Sequence, residues 1–103
     1  MADGAELYNP ALIRLGARAV VSQGAFLCTA THDYEKGAFP LVTKAVTVGA
    51  DAWIGARAFV LPGCEIGEGS VIGAGSVVTR STPAWSVCAG NPCRVVRATY
   101  THT

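Results

Sequence analysis

Every sixth residue between positions 48 and 78 is aliphatic and β-branched, and this period constrains the fold more than any other feature of the chain. The series is Val48, Ile54, Val60, Ile66, Ile72 and Val78. Glycine follows four of the six, and the residue four places on is always small: Ala52, Ala58, Cys64, Ser70, Ser76 and Thr82. A period of six fits neither an amphipathic helix nor a simple alternating strand. It predicts a short strand and a tight corner, repeated along the chain.

Each part of this hexapeptide suits one part of a narrow β-helix. β-Branched residues favour strands, and glycine suits a corner that needs a positive φ or a close approach of backbones. Small residues suit a crowded interior. Three hexapeptides make one triangular coil, and coils would stack at the usual strand spacing of roughly 4.8 Å. We therefore predict one all-β domain over residues 1–103, a parallel β-helix of about three to four coils whose flat faces partners would cover.

One break interrupts the series. The same pattern appears earlier, at Leu15, Val21 and Leu27. From Leu27 to Val48 there are 21 positions, a number that six does not divide. The simplest repair makes Val42–Thr47 a further hexapeptide and leaves residues 33–41, which include a glycine and a proline, as one loop that projects from a corner.

The last part of the chain departs from the period. After Val78 the pattern decays, so we expect residues 83–103 to form a C-terminal tail. Turn-forming sequences occur at 83–85 and 90–92, and short strands are expected near 87–89 and 94–98.

Charge and hydropathy exclude several classes of protein. Eight basic and seven acidic residues give a net charge of +1, which offers no reason to expect nucleic acid or an anionic membrane as a partner. No apolar run approaches the roughly 20 residues of a membrane span. The first residues lack the basic start and apolar core of a signal peptide. A cytoplasmic protein without a membrane span is the expectation.

The four cysteines fit packing better than chemistry. Cys28, Cys64, Cys88 and Cys93 form no C-x-x-C pair, and the chain has only two histidines. A structural zinc site is therefore not expected, and neither is any other metal site. In a reducing compartment these thiols would pack as small hydrophobic side chains.

Four segments, in this order, extend the argument beyond the repeat. They are Thr29–Tyr34 (TATHDY), Ala52–Gly55 (AWIG), Ile72–Thr79 (IGAGSVVT) and Gly90–Val96 (GNPCRVV). Together with the repeat, they resemble the hexapeptide-repeat acyltransferases, most of all the colanic-acid-type O-acetyltransferases that act on sugars. The resemblance covers residues 7–98. It implies a left-handed β-helix, a homotrimer, acetyl-CoA bound in a groove between neighbouring subunits, and a sugar or similar small molecule as hydroxyl acceptor.

The resemblance also implies which residues form the acceptor side of the site. A catalytic histidine falls on His32, and a histidine that is neutral near pH 7 suits removal of a hydroxyl proton. Asp33 would either orient this imidazole or contact solvent or acceptor, since adjacent residues of an extended chain point to opposite sides. Tyr34 is expected to contact the acceptor. Trp53 is either an interface residue or a wall of the substrate groove, and the resemblance favours the groove.

The donor side is assigned in the same way. Ala56 and Ala74, small residues on successive coils, match the family positions that line the pantetheine arm of CoA. Thr79, Arg80 and Arg94 match the positions at its phosphate end, where cations are needed.

Other functions remain open. One alternative is a trimeric β-helix of the same fold that binds acyl-CoA or a partner without turnover. It stays open because members of the family usually carry more coils before the region of residue 7. An acyl-cysteine at Cys28 and a serine acetyltransferase are weaker alternatives. A carbonic anhydrase of this fold needs three histidine ligands for zinc, whereas this chain has only His32 and His102.

Overall fold

The computed structural model describes residues 6–7, 12–32 and 41–99 of the 103-residue chain. The described residues form fourteen short strands and contain no α-helix. The strands are β1 (Glu6–Leu7), β2 (Ile13–Leu15), β3 (Val20–Val21), β4 (Phe26–Leu27), β5 (Ala30–His32), β6 (Leu41–Thr43), β7 (Val46–Val48), β8 (Trp53–Ile54), β9 (Phe59–Val60), β10 (Glu65–Ile66), β11 (Val71–Ile72), β12 (Val77–Val78), β13 (Ser86–Gly90) and β14 (Cys93–Ala98).

Twelve of these strands form the three faces of a triangular prism. Face A contains β1, β4, β9 and β12, and face B contains β2, β7 and β10. Face C contains β3, β8, β11 and β13, with β14 added at its edge. The strands within each face are parallel, except that β14 runs antiparallel to β13. The chain visits the faces in the order B, C, A, so the fold is the predicted parallel β-helix.

The register between coils explains the sequence period. Val48 pairs with Ile66, Ile54 with Ile72 and Val60 with Val78, so one coil takes 18 residues. All six side chains are at most 1% exposed. The small positions complete the interior, and Ala52, Ala58, Cys64, Ser70 and Ser76 are buried. The predicted core is therefore confirmed. Its narrow width explains why the positions of the small residues, which begin with Ala52, contain no large side chain.

The corners use two positions for two different needs. A Cβ on Gly55, directly after an aliphatic residue, would lie 2.6 Å from the Ile72 carbonyl oxygen of the next coil. Glycine is therefore needed at Gly55 for close approach. The positive φ falls two residues later in the corner, at Arg57 (60°), and at the equivalent Gly75 (71°) one coil on.

The break in the repeat is longer than the sequence suggests. Leu27 pairs with Val60, 33 positions later, which is 15 more than one coil. The prediction that Val42–Thr47 forms a further hexapeptide is wrong, because Val42 lies in β6 and pairs with Thr31 of β5 in an antiparallel hairpin. The Lys44 N–H donates to the Thr29 carbonyl at its base. Of the expected loop 33–41, residues 33–40 lie outside the described part, and residue 41 begins β6.

The pattern continues after Val78 rather than decaying. Thr82 pairs with Ile66 and Cys88 with Ile72, each 16 positions apart, so the corner between Val78 and Thr82 is two residues shorter than the others. Ser86 and Cys88 are buried. The Thr82 hydroxyl lies 3.2 Å from that of Ser70 and gives this threonine a polar partner at a core position. The strands expected near 87–89 and 94–98 are confirmed as β13 and β14.

None of the four cysteines, all of which lie in the described residues, forms a disulfide, and Cys64 and Cys88 are buried. Burial raises the pKa of the Cys64 thiol and also that of the Cys93 thiol. Both thiols are therefore held in the neutral form, which is unreactive. Among the described residues, no helix is both long enough and apolar enough to cross a membrane.

Candidate functional site

Three corners join the faces, and each candidate residue in the described part of the chain lies on or beside one of them. Corner CA joins faces C and A through residues 22–25, 55–58 and 73–76. Corner BC joins faces B and C through residues 16–19, 49–52, 67–70 and 83–85. Corner AB joins faces A and B through residues 61–64 and 79–81, and the β5–β6 hairpin interrupts this same corner between the first two coils.

His32 belongs to the hairpin. It is the last residue of β5, and its backbone pairs with that of Leu41 at the end of the ladder away from the base. The hairpin thus carries His32 off the regular coil at corner AB. The imidazole of His32, and Asp33 and Tyr34 entirely, lie outside the described part of the chain.

Trp53 lies on a different side of the prism. It is the outward residue of β8 on face C, 54% exposed, and its indole N–H donates to the Ser22 hydroxyl at 3.1 Å. Val20 and Val71 pair beside it on the neighbouring strands. In a triangular prism a corner is opposite one face, and corner AB is opposite face C. Within one chain, therefore, the Trp53 side chain and the base of the His32 hairpin lie on opposite sides.

Ala56 and Ala74 come together at corner CA. They occupy the same corner position on successive coils, and the Gly75 N–H donates to the Ala56 carbonyl at 2.9 Å. Both are exposed. A cavity of about 380 Å³ lies next to Ala56 and is lined also by Gln23, Gly24 and Arg57. The sequence motifs did not point to Gln23 or Arg57. The positive φ at Arg57, a residue other than glycine, is the feature that distinguishes it.

The cationic candidates divide between two corners. Arg94 pairs with Ala89 near the start of β14, so it lies at the end of the edge formed by Ala56 and Ala74. Thr79 and Arg80 follow β12 at corner AB, across face A from that edge. All three are exposed. One chain therefore brings Ala56, Ala74 and Arg94 to one edge and presents Thr79 and Arg80 at another.

The outward side chains make two faces apolar and one polar. Face A presents Phe26, Phe59 and Val77; face C presents Val20, Trp53, Val71 and Val87; face B presents Arg14, Thr47, Glu65 and Ser81. The rings of Phe26 and Phe59 stack with centroids 5.1 Å apart and planes 7° from parallel. Of these apolar side chains Val20 and Trp53 are exposed and the others are half-buried. Contiguous apolar surface that remains accessible marks interaction sites.

Fold and repeat define a class of protein. A family model described as bacterial transferase hexapeptide (six repeats) matches residues 45–80, the most regular part of the prism. Residues 45–80 therefore carry the hexapeptide repeat of bacterial transferases, and the prism is a left-handed β-helix of the kind that such proteins form.

The relatives narrow this class. A protein of Escherichia coli (strain K12) that is named as a colanic acid biosynthesis acetyltransferase, WcaF, is 41% identical over 95 residues, or 92% of this chain. The chain spans only about half, 52%, of that relative's length. The resemblance to the colanic-acid-type acetyltransferases, first drawn from the motifs, is confirmed.

Solved structures agree with the fold. A galactoside acetyltransferase in complex with coenzyme A superimposes with a TM-score of 0.79 at 25% identity, over 99% of this chain and 62% of that one. A mutant of AntD, an N-acyltransferase from Bacillus cereus, superimposes with a TM-score of 0.86 over 96% of this chain and 59% of that one. At 24% identity, AntD is evidence for the fold alone.

Proposed function

We propose that this chain is a CoA-dependent O-acetyltransferase that moves an acetyl group from acetyl-CoA to a hydroxyl of a sugar or similar small acceptor, with His32 as general base. The observation that carries the proposal is the β5–β6 hairpin. In a prism whose other corners are tight turns of a few residues, one corner expands by 15 residues and carries a histidine away from the coil. Functional residues concentrate on such excursions from a rigid scaffold.

The chemistry needs only one base and a stabilised oxyanion. A neutral imidazole at His32 takes the proton of the acceptor hydroxyl as the oxygen attacks the thioester carbonyl. A backbone N–H stabilises the tetrahedral oxyanion, and its collapse expels the CoA thiolate. Asp33 and Tyr34 follow His32 on the same excursion and are proposed as acceptor contacts. The Cys28 N–H donates to the Val60 carbonyl as part of the ladder between coils, which supports a packing role for Cys28.

The donor is proposed to lie along corner CA. The small, exposed side chains of Ala56 and Ala74 leave room there for the pantetheine arm. Arg57 and Gln23, which line the adjoining cavity, join the set predicted from sequence. Arg94 at the end of this edge, with Thr79 and Arg80 from corner AB, would bind the phosphates. The galactoside acetyltransferase structure with coenzyme A supports the choice of donor.

A homotrimer explains how separated residues meet. Two apolar faces on one prism suit a closed ring, in which each copy uses two different surfaces, better than a two-fold dimer that uses one surface twice. Since Trp53 and the His32 hairpin lie on opposite sides of one chain, they share a site only when they come from different copies. The proposed site is therefore formed between neighbouring subunits, and the same reasoning applies to Arg80 and Ala74.

A second candidate is a trimeric β-helix that binds acyl-CoA without turnover. The repeat and the fold support it equally, because the match to the colanic-acid-type relative covers only about half of that relative's length and does not by itself carry its activity to this chain. Both candidates predict the same fold and assembly, so only an activity measurement separates them.

The test uses the full chain with acetyl-CoA and a panel of sugars, and free CoA is measured by chromatography. His32→Ala should lower the rate by about 10²–10⁴-fold, the usual contribution of a general base. His102→Ala, which removes the only other histidine, is the matched control and should leave the rate unchanged. CoA release that is equal in the parent and His32→Ala would leave the non-catalytic module as the explanation.

A further inference from the structure

A groove on face C, next to corner BC, contains both tryptophans of the chain. It has a volume of about 380 Å³ and is lined by Asp51, Trp53, Gly69, Val71, Trp85 and Thr99. This size is within the range of small-molecule sites. Of these residues, the motifs that point to acyl transfer include only Trp53. The groove is separate from the cavity beside Ala56, which lies at the other edge of the same face.

Gly69 makes room for the second indole ring. A Cβ built on Gly69 would lie 2.2 Å from Cε3 of Trp85, so the ring of Trp85 rests directly on the backbone of the coil below. Trp85 itself has a positive φ of 55°, a conformation that bulky residues rarely adopt. The structure thus places a large aromatic ring at the left-handed corner position that Arg18, Asp51 and Gly69 occupy on the other coils, and the ring forms one wall of the groove.

Polar groups complete the rim. Asp51 receives two hydrogen bonds from the Arg18 guanidinium, one of them 2.9 Å from Nη2 to Oδ2, and the side chain of Asp51 is 33% exposed. Arg18 holds the pKa of this carboxyl below its ordinary value, so Asp51 is an ionised acceptor at neutral pH with lone pairs to spare. The hydroxyl of Thr99 is buried and has no hydrogen-bond partner among the described residues.

We propose that the Trp53–Trp85 groove binds a neutral pyranose ring of the acceptor. The apolar faces of a sugar ring pack against indole rings and Val71, while its hydroxyls donate to Asp51 and exchange hydrogen bonds with Thr99. A nucleotide base would also stack on indoles, but the phosphates it carries are repelled by the Asp51 carboxylate. The proposal rests on the proposed function only in taking the sugar to be the acceptor.

The chain provides a selective readout for this site. Because both tryptophans line the groove, the intrinsic indole fluorescence of the full chain reports on this groove alone. The probe is methyl β-D-galactopyranoside, and saturation-transfer NMR identifies which of its protons contact protein. Xylitol, an open-chain polyol with hydroxyls but no ring face, is the control ligand. We expect a saturable fluorescence change and strong transfer to the ring C–H protons with the pyranoside only.

Two variants test the wall formed by Trp85. Trp85→Ala should weaken pyranoside binding at least tenfold. Gly69→Ala keeps every groove side chain but forces the indole of Trp85 aside, and it should weaken binding to a similar extent. Its matched control is Gly75→Ala, which has the same positive φ at the equivalent corner position but no atom within 4 Å of the added Cβ. Gly75→Ala should bind the sugar as the parent does.

The results that would overturn the sugar-binding groove differ from those that would overturn the proposed acetyltransferase activity. Equal pyranoside binding in the parent, Trp85→Ala and Gly69→Ala would exclude the groove, as would displacement of the sugar by adenosine 3′,5′-bisphosphate. Absent binding together with a changed assembly mass in Trp85→Ala would make the groove a subunit contact instead. Sugar binding that persists in His32→Ala supports the groove whether or not acetyl transfer occurs.

Discussion

Single residues at the corners decide how closely the coils stack. Gly55 is required by proximity, because an added Cβ would lie 2.6 Å from one backbone atom of the next coil and 2.7 Å from another. Gly75 is required only by its φ of 71°, since nothing lies within 4 Å of a Cβ there. The two glycines look alike in the sequence but meet different physical needs.

This difference predicts unequal costs for one and the same substitution. Gly55→Ala must push two coils apart or distort a corner, and should lower the free energy of unfolding by about 3 kcal/mol. Gly75→Ala adds only the strain of a left-handed conformation, about 1 kcal/mol. Urea denaturation followed by circular dichroism measures both. Equal losses, or a larger loss at Gly75, would contradict the role given to close approach.

The Arg18–Asp51 pair predicts a pH dependence at the same scale. Arg18 lowers the pKa of Asp51 from its ordinary value of 3.8. A carboxyl whose pKa is lowered by folding contributes stability above its unfolded pKa, and that contribution is lost as pH falls through the folded value. Asp51→Asn should therefore be less stable than the parent near neutral pH, and the difference should shrink as the pH falls below 3.8 and through the lower folded-state pKa of Asp51. Both side chains are on the surface, so the effect should be small and should shrink with added salt.

The control for this prediction is a double-mutant cycle. In an Arg18→Gln background, Asp51→Asn should show no pH-dependent difference in the free energy of unfolding over the same range. A difference that persists without Arg18 would assign the pH dependence to another group.

Among the elements, the regular strands and the presence of the first break in register were predictable, whereas the length of that break and the second change of register were not. The period of six identifies β7 to β12 because the narrow interior accepts aliphatic and small residues only in that order. It fails at Val42, which is aliphatic and six positions before Val48 but pairs with Thr31 in the hairpin. It also fails at Thr82, which fits the small series yet takes the aliphatic position. Several segments fit the six-residue pattern equally well, and pairing between strands decides which of them joins the coil. A single sequence does not show which strands pair.

The residues of the candidate site also divide into those that the sequence identifies and those that only the structure reveals. The resemblance assigns Ala56, Ala74 and His32 to the site. The structure shows that the two alanines share a corner edge, while the role of all three residues stays a prediction. Arg57 and Trp85 belong to no motif, and only their positive φ and their cavities distinguish them. Residues that act through the shape of a groove leave little trace in one sequence, because their partners are set by stacking of the coils.

The hairpin is an element that the prism should be able to lose. Removing residues 30–44 deletes the 15 extra positions and leaves Leu27 and Val48 six apart, with Val46 in the buried small-residue position. With Ala45→Gly to allow a positive φ at the new corner, the shortened chain should keep its β circular dichroism and unfold cooperatively. Its acetyl transfer should fall to the level of His32→Ala. An unfolded or aggregated product would show that the hairpin is required for the coil itself.

At the scale of the whole molecule, the pattern of the three faces links assembly to chemistry. Faces A and C present apolar side chains and face B presents polar ones, so a ring of copies that covers A and C leaves B in water. The hairpin borders face A, and Trp53 lies on face C. An assembly that joins face A of one copy to face C of the next therefore also completes the proposed site. A variant that dissociates the assembly should for this reason lose acetyl transfer as well.

The final prediction separates the faces by charge. Phe59→Glu places a carboxylate in the centre of face A, beside Phe26, where an interface would bury it without a partner. It should reduce the mass measured by light scattering from three times 10.6 kDa to one, and acetyl transfer should fall with it. Thr47→Lys adds a charge to the outward position of face B and should preserve both mass and activity. If Thr47→Lys dissociates the assembly as readily as Phe59→Glu, the apolar faces do not form the subunit contacts.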